Sequence, residues 1–182
     1  MSDNFTSTDL ISPAYQAEQR RMHEALDSYG VECLRYGKSI ANLVVRNNIA
    51  TMLDYGSGKG RIIEAVGPHL NGHRLEINLY DPGIPELSVA PDPAEMVTCI
   101  DVLEHVEPDC TDAVVKDIHR CTQRLAFITI GLTPAAKTLS DGRNAHINLR
   151  PSNEWLLMLM DHFWIHSFTD AGRSAIFIGA PK

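Results

Sequence analysis

The chain has 182 residues, of which 44% are hydrophobic and 21% charged, and its formal net charge is −7. This size and composition suit a single globular domain spanning residues 1–182. The negative charge argues against a protein that grips nucleic acid over a broad surface, because phosphate binding requires clustered lysine and arginine. No signal-peptide pattern and no apolar run of membrane-spanning length is found, so we expect a cytoplasmic protein without a membrane partner.

The four cysteines are widely spaced and form no C-x-x-C pair. A disulfide framework or a zinc knuckle therefore has little support, and we predict no metal site. Cysteines in apolar surroundings normally behave as small hydrophobic residues. The sequence thus predicts buried thiols at Cys33, Cys99, Cys110 and Cys121.

Residues 12–48 are predicted to form N-terminal helices that follow a polar, loose segment at 1–11. Ser12 and Pro13 indicate a helix start, with a hydroxyl cap followed by proline at the first helical position. We expect this helix to run to about Ser28. A second helix is predicted from residues that share one helical face. These residues are Ile40, Leu43, Val44 and Asn47.

Strands and helices alternate after position 49. The predicted strands are 50–54, 75–79, 96–100, 125–130, 164–168 and 175–179. Three helices are predicted between the strands. Two of them have an apolar face, formed by Ile62, Ile63, Val66 and Leu70 and by Val114, Val115, Ile118 and Cys121. The third helix covers 154–162, with Ser152 as its N-terminal cap. Such alternation implies a doubly wound α/β fold with a mostly parallel sheet. The linker 169–174 is too short for a parallel crossover, so one antiparallel strand is expected near the end.

A glycine-rich loop follows the first predicted strand and precedes a helix. A dinucleotide-binding fingerprint starting at Gly56 requires glycine or alanine at position 61, where this chain has Arg61. A P-loop requires glycine at position 53 and Ser or Thr at position 60, where this chain has Leu53 and Gly60. The D-x-G-x-G-x-G pattern that begins at Asp54 resembles the first motif of class I, Rossmann-like, S-adenosylmethionine-dependent methyltransferases. Taken alone, the loop also fits a tight strand-to-helix turn that binds no ligand.

In that family the loop wraps the methionine part of the cofactor, and the acidic residue, here Asp54, positions the loop and the amino group. The resemblance therefore implies S-adenosyl-L-methionine as the cofactor. It also implies cofactor contacts from Asp54, Tyr55, Gly56, Ser57, Gly58 and Gly60.

Asp81 comes at the end of the next predicted strand, about twenty residues after the last glycine, which is the spacing of a ribose-binding acid. A carboxylate can accept hydrogen bonds from both ribose hydroxyls. The Asp-Pro-Gly sequence is also typical of a plain turn. The residues assigned to the cofactor here are Asp81, Pro82, Gly83 and Ile84.

The segment 99–106, CIDVLEHV, resembles the D-V-L-E-H segment of small-molecule and related class I methyltransferases. There it lines the site beside the cofactor, which implies contacts from Asp101, Val102 and Leu103. The alternative is a helix start with Glu104 and His105 exposed. The three motifs stand in the family's order, and the resemblance covers residues 51–130, closest to a small phage or bacterial type of enzyme.

One departure from the family lies between Asp81 and Asp101, where a helix and another strand are usual. Residues 82–100 contain four prolines, which break any long helix. We infer that an edge strand and most of a helix are missing. The adenine contact is then expected from 92–94 or from Ile84.

The acceptor is expected to meet the loop 131–150, because ligands bind at the carboxyl ends of parallel strands. His146 is the candidate general base, with Asn144 and Arg143 beside it, in a D-G-R-N-A-H segment like that of phage-like methyltransferases. Arg143 and Arg150 are suited to bind an anionic group of the substrate. The alternatives are that His146 is a loop histidine that only forms hydrogen bonds and that both arginines are solvated at the surface.

The first predicted helix is a candidate lid over the site, although its apolar positions equally suit plain packing. The lid residues are Tyr15, Arg20, Arg21 and His23.

The sequence as a whole predicts methyl transfer to an oxygen or nitrogen atom of a small-molecule or nucleotide-like acceptor. No N-P-P-Y or D-P-P-Y tetrapeptide stands at Asp101, which disfavours amino-methylation of DNA bases. A macromolecular substrate that binds through the basic loop 131–150 is a further alternative. The alternative from another class is a non-catalytic S-adenosylmethionine-binding sensor or partner subunit.

Overall fold

The central element is a six-stranded sheet. The structure is a computed structural model that describes residues 10–25 and 31–182. The strands are β1 Thr51–Tyr55, β2 Glu76–Tyr80, β3 Ala94–Ile100, β4 Thr122–Gly131, β5 Phe163–Asp170 and β6 Ser174–Pro181. Their order in the sheet is β2-β1-β3-β4-β6-β5. The pairs β1–β2, β1–β3 and β3–β4 are parallel, whereas β6 runs antiparallel to both β4 and β5. The predicted mostly parallel sheet with one reversed strand is confirmed.

Five helices accompany the sheet in the described part of the chain. They are α1 Pro13–Ala25, α2 Gly37–Arg46, α3 Ile62–Val66, α4 Thr111–Cys121 and α5 Ser152–Met160. Short 3₁₀ turns connect several of them. No helix among these residues combines the length and the apolar character needed to cross a membrane.

The start of α1 agrees with the sequence. Ser12 Oγ accepts a hydrogen bond from the backbone N–H of Tyr15 at 3.2 Å, which is the capping bond expected before Pro13. The predicted end near Ser28 and residues 1–9 of the predicted loose segment 1–11 lie outside the described residues, whereas Leu10 and Ile11 pack against hydrophobic clusters.

Two local predictions are wrong. Ser152 does not cap α5: the helix begins at Ser152 after Pro151, and the Ser152 hydroxyl donates to Asp170 Oδ2 at 2.5 Å instead. Ile63 does not face the core, because α3 is only five residues long and leaves this side chain half exposed. A 3₁₀ turn at Gly67–His69 replaces the continuation of α3.

The missing edge strand is confirmed. Strand β2 forms the border of the sheet, and the segment from Asp81 to Pro93 contains only a 3₁₀ turn at Pro85–Leu87 among its described residues. Proline supplies no N–H for a helix or a ladder, so this stretch closes the connection to β3 without a further element.

Two hydrophobic clusters cover the two faces of the sheet, as a doubly wound fold requires. On one face α4 and α5 pack against the sheet through Ile118 and Trp155, both fully buried. On the other face α2 and α3 pack through Ile40, Val44 and Ile62. Of the four thiols predicted to be buried, those of Cys33, Cys99 and Cys121 are buried and that of Cys110 is half-buried.

Candidate cofactor and acceptor site

A cavity of about 400 Å³ opens at the carboxyl ends of β1 to β4. Its walls come from the glycine loop, the turn after β2, the turn after β3, the loop after β4 and helix α1. Ten of the thirteen residues assigned to the cofactor from sequence line it. They are Asp54, Tyr55, Gly56, Ser57, Gly58, Asp81, Pro82, Gly83, Asp101 and Val102.

The other three assigned residues are not among the described residues that line this cavity. Gly60 has a positive φ of 70° and lies against Leu79, which a Cβ atom would approach to 2.7 Å. Leu103 is fully buried in the core, and Ile84 faces a separate shallow groove. Residues 92–94 are likewise absent from the described lining, and the adenine contact expected from them or from Ile84 stays a prediction.

The glycine loop forms a cradle that a side chain would fill. Gly56 has a φ of 75°, and a Cβ atom there would lie 2.4 Å from Val102 Cγ2. The N–H groups of Gly56 and Ser57 both donate to the Tyr80 carbonyl oxygen, at 2.8 and 2.9 Å, which fixes the loop to the end of β2. The Ser57 hydroxyl is buried at the cavity wall and has no hydrogen-bond partner in the protein.

Asp54 is 4% exposed at the end of β1 and lines the cavity. Thr98 donates its hydroxyl to Asp54 Oδ1 at 2.7 Å. Burial raises the pKa of the Asp54 carboxyl to about 7, although the Thr98 hydrogen bond opposes this rise. A cationic group in the cavity would therefore stabilise the charged form of this carboxylate.

Asp81 joins the second motif to the first. Its Oδ2 accepts a hydrogen bond from the Gly58 N–H at 2.8 Å, and its Oδ1 accepts one from the Gly83 N–H at 2.8 Å. A carboxylate has about four lone-pair positions, so both oxygens retain the capacity to accept hydroxyl groups. A loop amide and a turn amide thus hold this acid at the cavity wall.

Asp101 has a φ of 52°, an unusual conformation for a residue other than glycine. The Thr129 hydroxyl donates to Asp101 Oδ1 at 2.6 Å and holds the side chain toward β4. Burial raises the pKa of the Asp101 carboxyl above its usual range. This bend after β3 turns Val102 toward the glycine cradle.

Helix α1 covers the cavity and contacts both of its sides. Gln16 donates to the Pro82 carbonyl oxygen at 2.7 Å, and Glu18 accepts a hydrogen bond from the Ser140 N–H at 2.7 Å. His23 lies with Nε2 3.8 Å from Asp81 Oδ2, and burial lowers the pKa of its imidazole. Of the four predicted lid residues, Tyr15 and His23 line the cavity. Arg20 and Arg21 are not part of the described lining.

His146 lines the cavity from the loop after β4. Its Nδ1 lies 2.6 Å from the Thr133 carbonyl oxygen, and its ring meets that of His105 edge to face at a centroid distance of 4.7 Å. Asn144 supports the loop from behind: its Oδ1 accepts hydrogen bonds from the N–H groups of Ala135 and His146, both at 2.9 Å. Asn144 itself is not among the described residues of the cavity wall.

The two candidate arginines point elsewhere. Arg143 is exposed and pairs with Asp141 at 2.7 Å, and the Arg150 guanidinium stacks over the Trp155 ring at 5.3 Å. Neither belongs to the described lining of the cavity. The role of Arg143 at an anionic group stays a prediction.

Glu104 is the main residue that sequence reasoning missed. The alternative of a helix start with an exposed Glu104 is wrong, because a 3₁₀ turn at Leu103–His105 places Glu104 at 0% exposure. Burial raises the pKa of the Glu104 carboxyl to about 8, and burial together with nearby His146 lowers the pKa of His105 to about 4. The sequence signal was the D-V-L-E-H segment itself, whose last two residues had no assigned role.

No family model and no curated protein sequence matches the chain. Solved structures do match. The Burkholderia thailandensis 1,6-didemethyltoxoflavin-N1-methyltransferase with bound S-adenosylhomocysteine aligns at a TM-score of 0.62 and 15% identity, over 93% of this chain and 89% of that one. Human N-acetylserotonin methyltransferase with S-adenosylmethionine aligns at 0.64 and 15%, over 97% and 60%.

The mitomycin 7-O-methyltransferase aligns at a TM-score of 0.61 and 15% identity, over 100% of this chain and 62% of that one. The chain therefore spans about three fifths of the length of two of these three proteins. Strand order, the cradle after β1 and these alignments agree with one another. The chain has the class I methyltransferase fold.

Proposed function

We propose that the protein is an S-adenosyl-L-methionine-dependent methyltransferase that acts on an oxygen or nitrogen atom of a small-molecule or nucleotide-like acceptor. The observation that carries the proposal is the joint lining of one cavity by Asp54, the glycine cradle and Asp81. The similar structures support it, since one holds S-adenosylhomocysteine and another S-adenosylmethionine.

The donor set of the cavity fits this cofactor. Asp54 offers a carboxylate to the ammonium group, and the unpartnered Ser57 hydroxyl offers a donor and an acceptor to the polar methionine end. The cradle at Gly56 leaves room for a ligand against the main chain. Asp81 accepts the ribose hydroxyls on its remaining lone pairs. When bound, S-adenosylmethionine supplies a methyl group on a positively charged sulfur.

On the acceptor side, we assign His146 as the general base that takes the proton from the attacking atom. An imidazole near neutral pH removes a proton from a hydroxyl or amine as that atom attacks. Asn144 is a positioning residue, because its amide fixes the backbone of Ala135 and His146 relative to each other. Walls from α1 and the loop after β4 exclude water, which favours displacement at a sulfonium.

Asp81→Asn is expected to weaken S-adenosylhomocysteine binding by about 100-fold, because the amide loses the charge-assisted bonds to the ribose and to one loop N–H. Isothermal calorimetry measures this loss, and Asp161→Asn, on the exposed surface, serves as the matched control. Unchanged affinity in Asp81→Asn would remove the ribose assignment. No binding to the wild-type protein at millimolar ligand would contradict the whole proposal.

His146→Ala is expected to reduce methyl transfer by about 100-fold or more while leaving S-adenosylhomocysteine affinity within about threefold. Labelled methyl transfer to pools of nucleotides, sugars and amines identifies the acceptor and provides the assay. His69→Ala, at an exposed position, is the control. Full turnover in His146→Ala excludes a role in proton transfer, and cofactor binding without transfer to any pool supports the sensor alternative.

A further inference from the structure

Three side chains with metal-binding atoms meet beside the cavity. Glu104, His105 and His146 each offer one ligand atom, and these atoms all lie within 4.8 Å of one another. Glu104 and His105 are neighbours in the turn after β3, whereas His146 comes from the loop after β4. The fold brings His146 to the adjacent pair Glu104 and His105 of the D-V-L-E-H segment.

The Glu104 carboxylate has one oxygen that the protein leaves unsatisfied. Oε1 accepts a hydrogen bond from the Gly131 N–H at 2.6 Å, but the buried Oε2 has no hydrogen-bond partner in the protein. The residue is 0% exposed. A buried polar atom without a partner is costly, and a cation bound at Oε2 would supply the missing partner.

Each of the two imidazoles has a backbone carbonyl oxygen beside its Nδ1 atom. His105 Nδ1 lies 2.9 Å from the Ala145 carbonyl oxygen, and His146 Nδ1 lies 2.6 Å from the Thr133 carbonyl oxygen. A carbonyl oxygen only accepts, so each Nδ1 carries the proton and each Nε2 carries the lone pair. A backbone carbonyl behind the ring fixes the tautomer and orients the other nitrogen in most metal-binding histidines.

We propose that Glu104, His105 and His146 form a binding site for one divalent transition-metal ion at the acceptor end of the cavity. Two imidazole nitrogens and one carboxylate oxygen suit Zn²⁺ or Co²⁺, whereas Mg²⁺ and Ca²⁺ prefer oxygen ligands throughout. This site departs from the sequence-based expectation of no metal. Small side-chain rotations close the 4.8 Å spread to the ligand distances of a tetrahedral ion.

The site also narrows the acceptor class, an extension that rests on the proposed function. Three protein ligands leave one position open, and both histidines face the cavity. A hydroxyl oxygen bound there loses its proton to water more readily. Its lone pair then forms the bond to the methyl carbon, while the bond from that carbon to sulfur breaks and its electron pair stays on sulfur. In this metal-bound state His146 is a ligand and not the general base. The compound that receives the methyl group is then an alcohol or phenol.

The test is titration of the chelator-treated full-length protein with Co²⁺, followed by the visible absorption of the bound ion. Wild-type protein is expected to bind one Co²⁺ per chain in a saturable manner, and Zn²⁺ is expected to displace it. Glu104→Gln and His146→Ala are expected to weaken binding by about 100-fold or more. His162→Ala is the matched control, since His162 and His119 form a histidine pair at a centroid distance of 5.8 Å away from the cavity.

Each outcome is decisive. Absence of a saturable Co²⁺ spectrum in wild-type protein overturns the metal site, as does an equal loss in His162→Ala. Glu104→Gln keeps an acceptor for the Gly131 N–H, and circular dichroism together with S-adenosylhomocysteine calorimetry on the same samples separates lost ligation from lost folding. S-adenosylhomocysteine binding without a Co²⁺ spectrum leaves the proposed function standing and removes the metal site. A Co²⁺ spectrum without S-adenosylhomocysteine binding does the reverse.

Discussion

Asp54→Asn is expected to stabilise the ligand-free protein by on the order of 4 kcal/mol at about pH 8 and to abolish measurable cofactor binding. Burial raises the pKa of Asp54 to about 7, from an ordinary value of 3.8. An acid whose pKa is higher in the folded state destabilises that state when it ionises. The cost begins above the unfolded value and is complete above the folded value, so the gain from asparagine grows between about pH 4 and pH 7.

Urea unfolding of both proteins at about pH 5 and pH 8 measures this difference, with Asp161→Asn as an exposed control. A stability gain that is equal at the two pH values would contradict a titrating Asp54. The same carboxylate makes wild-type affinity for S-adenosylhomocysteine increase as pH rises toward about 7, by up to about tenfold per pH unit. Binding that weakens over this range would contradict the contact between Asp54 and the ammonium group.

Gly56→Ala is expected to lower the free energy of unfolding by about 3 kcal/mol and to weaken S-adenosylhomocysteine binding by at least about 100-fold. The new Cβ atom would lie 2.4 Å from Val102 Cγ2, and the φ of 75° disfavours any side chain. Val102 or the glycine loop therefore has to shift, and both belong to the cavity wall. Urea unfolding and calorimetry measure the two effects.

A second substitution separates the two causes. Gly142→Ala has a comparable φ of 86° with open space around it, so it reports backbone strain alone, about 1 kcal/mol. Val102→Ala in the Gly56→Ala background is expected to recover part of the stability by removing the methyl groups that clash, as a double-mutant cycle shows. No coupling between positions 56 and 102 would contradict the steric explanation.

The fold was predictable because its signals are local. Apolar runs and turn residues predicted all six strands, and the short linker 169–174 predicted the reversed one. The prolines between Asp81 and β3 predicted the loss of the edge strand, since proline acts on its own backbone wherever it stands. Helix ends were less predictable: the Ser152 hydroxyl prefers Asp170, eighteen positions away, to the backbone of its own helix.

The positions of Asp54, the glycines and Asp81 at the cavity were predictable for the same reason, because the motif spacing places them at the ends of adjacent strands. The arrangement of the turn after β3 and the loop after β4 was not. Glu104 becomes buried only when Gly131, which is 27 positions later, offers its N–H, and His105 meets His146 only across two loops. Arg143 pairs with its near neighbour Asp141 and leaves the cavity. Such tertiary choices have no signature in residue order.

Helix α1 is fastened to two sides of the cavity by separate bonds, to Pro82 in the turn after β2 and to Ser140 in the loop after β4. A third anchor, from Ser12 to Glu107, holds its first turn. Any displacement of this helix breaks contacts at both sides in one motion. If the protein is the methyltransferase we propose, S-adenosylhomocysteine and the methylated compound would leave through this one opening, and a change at Gln16 or Glu18 is expected to alter the release of both.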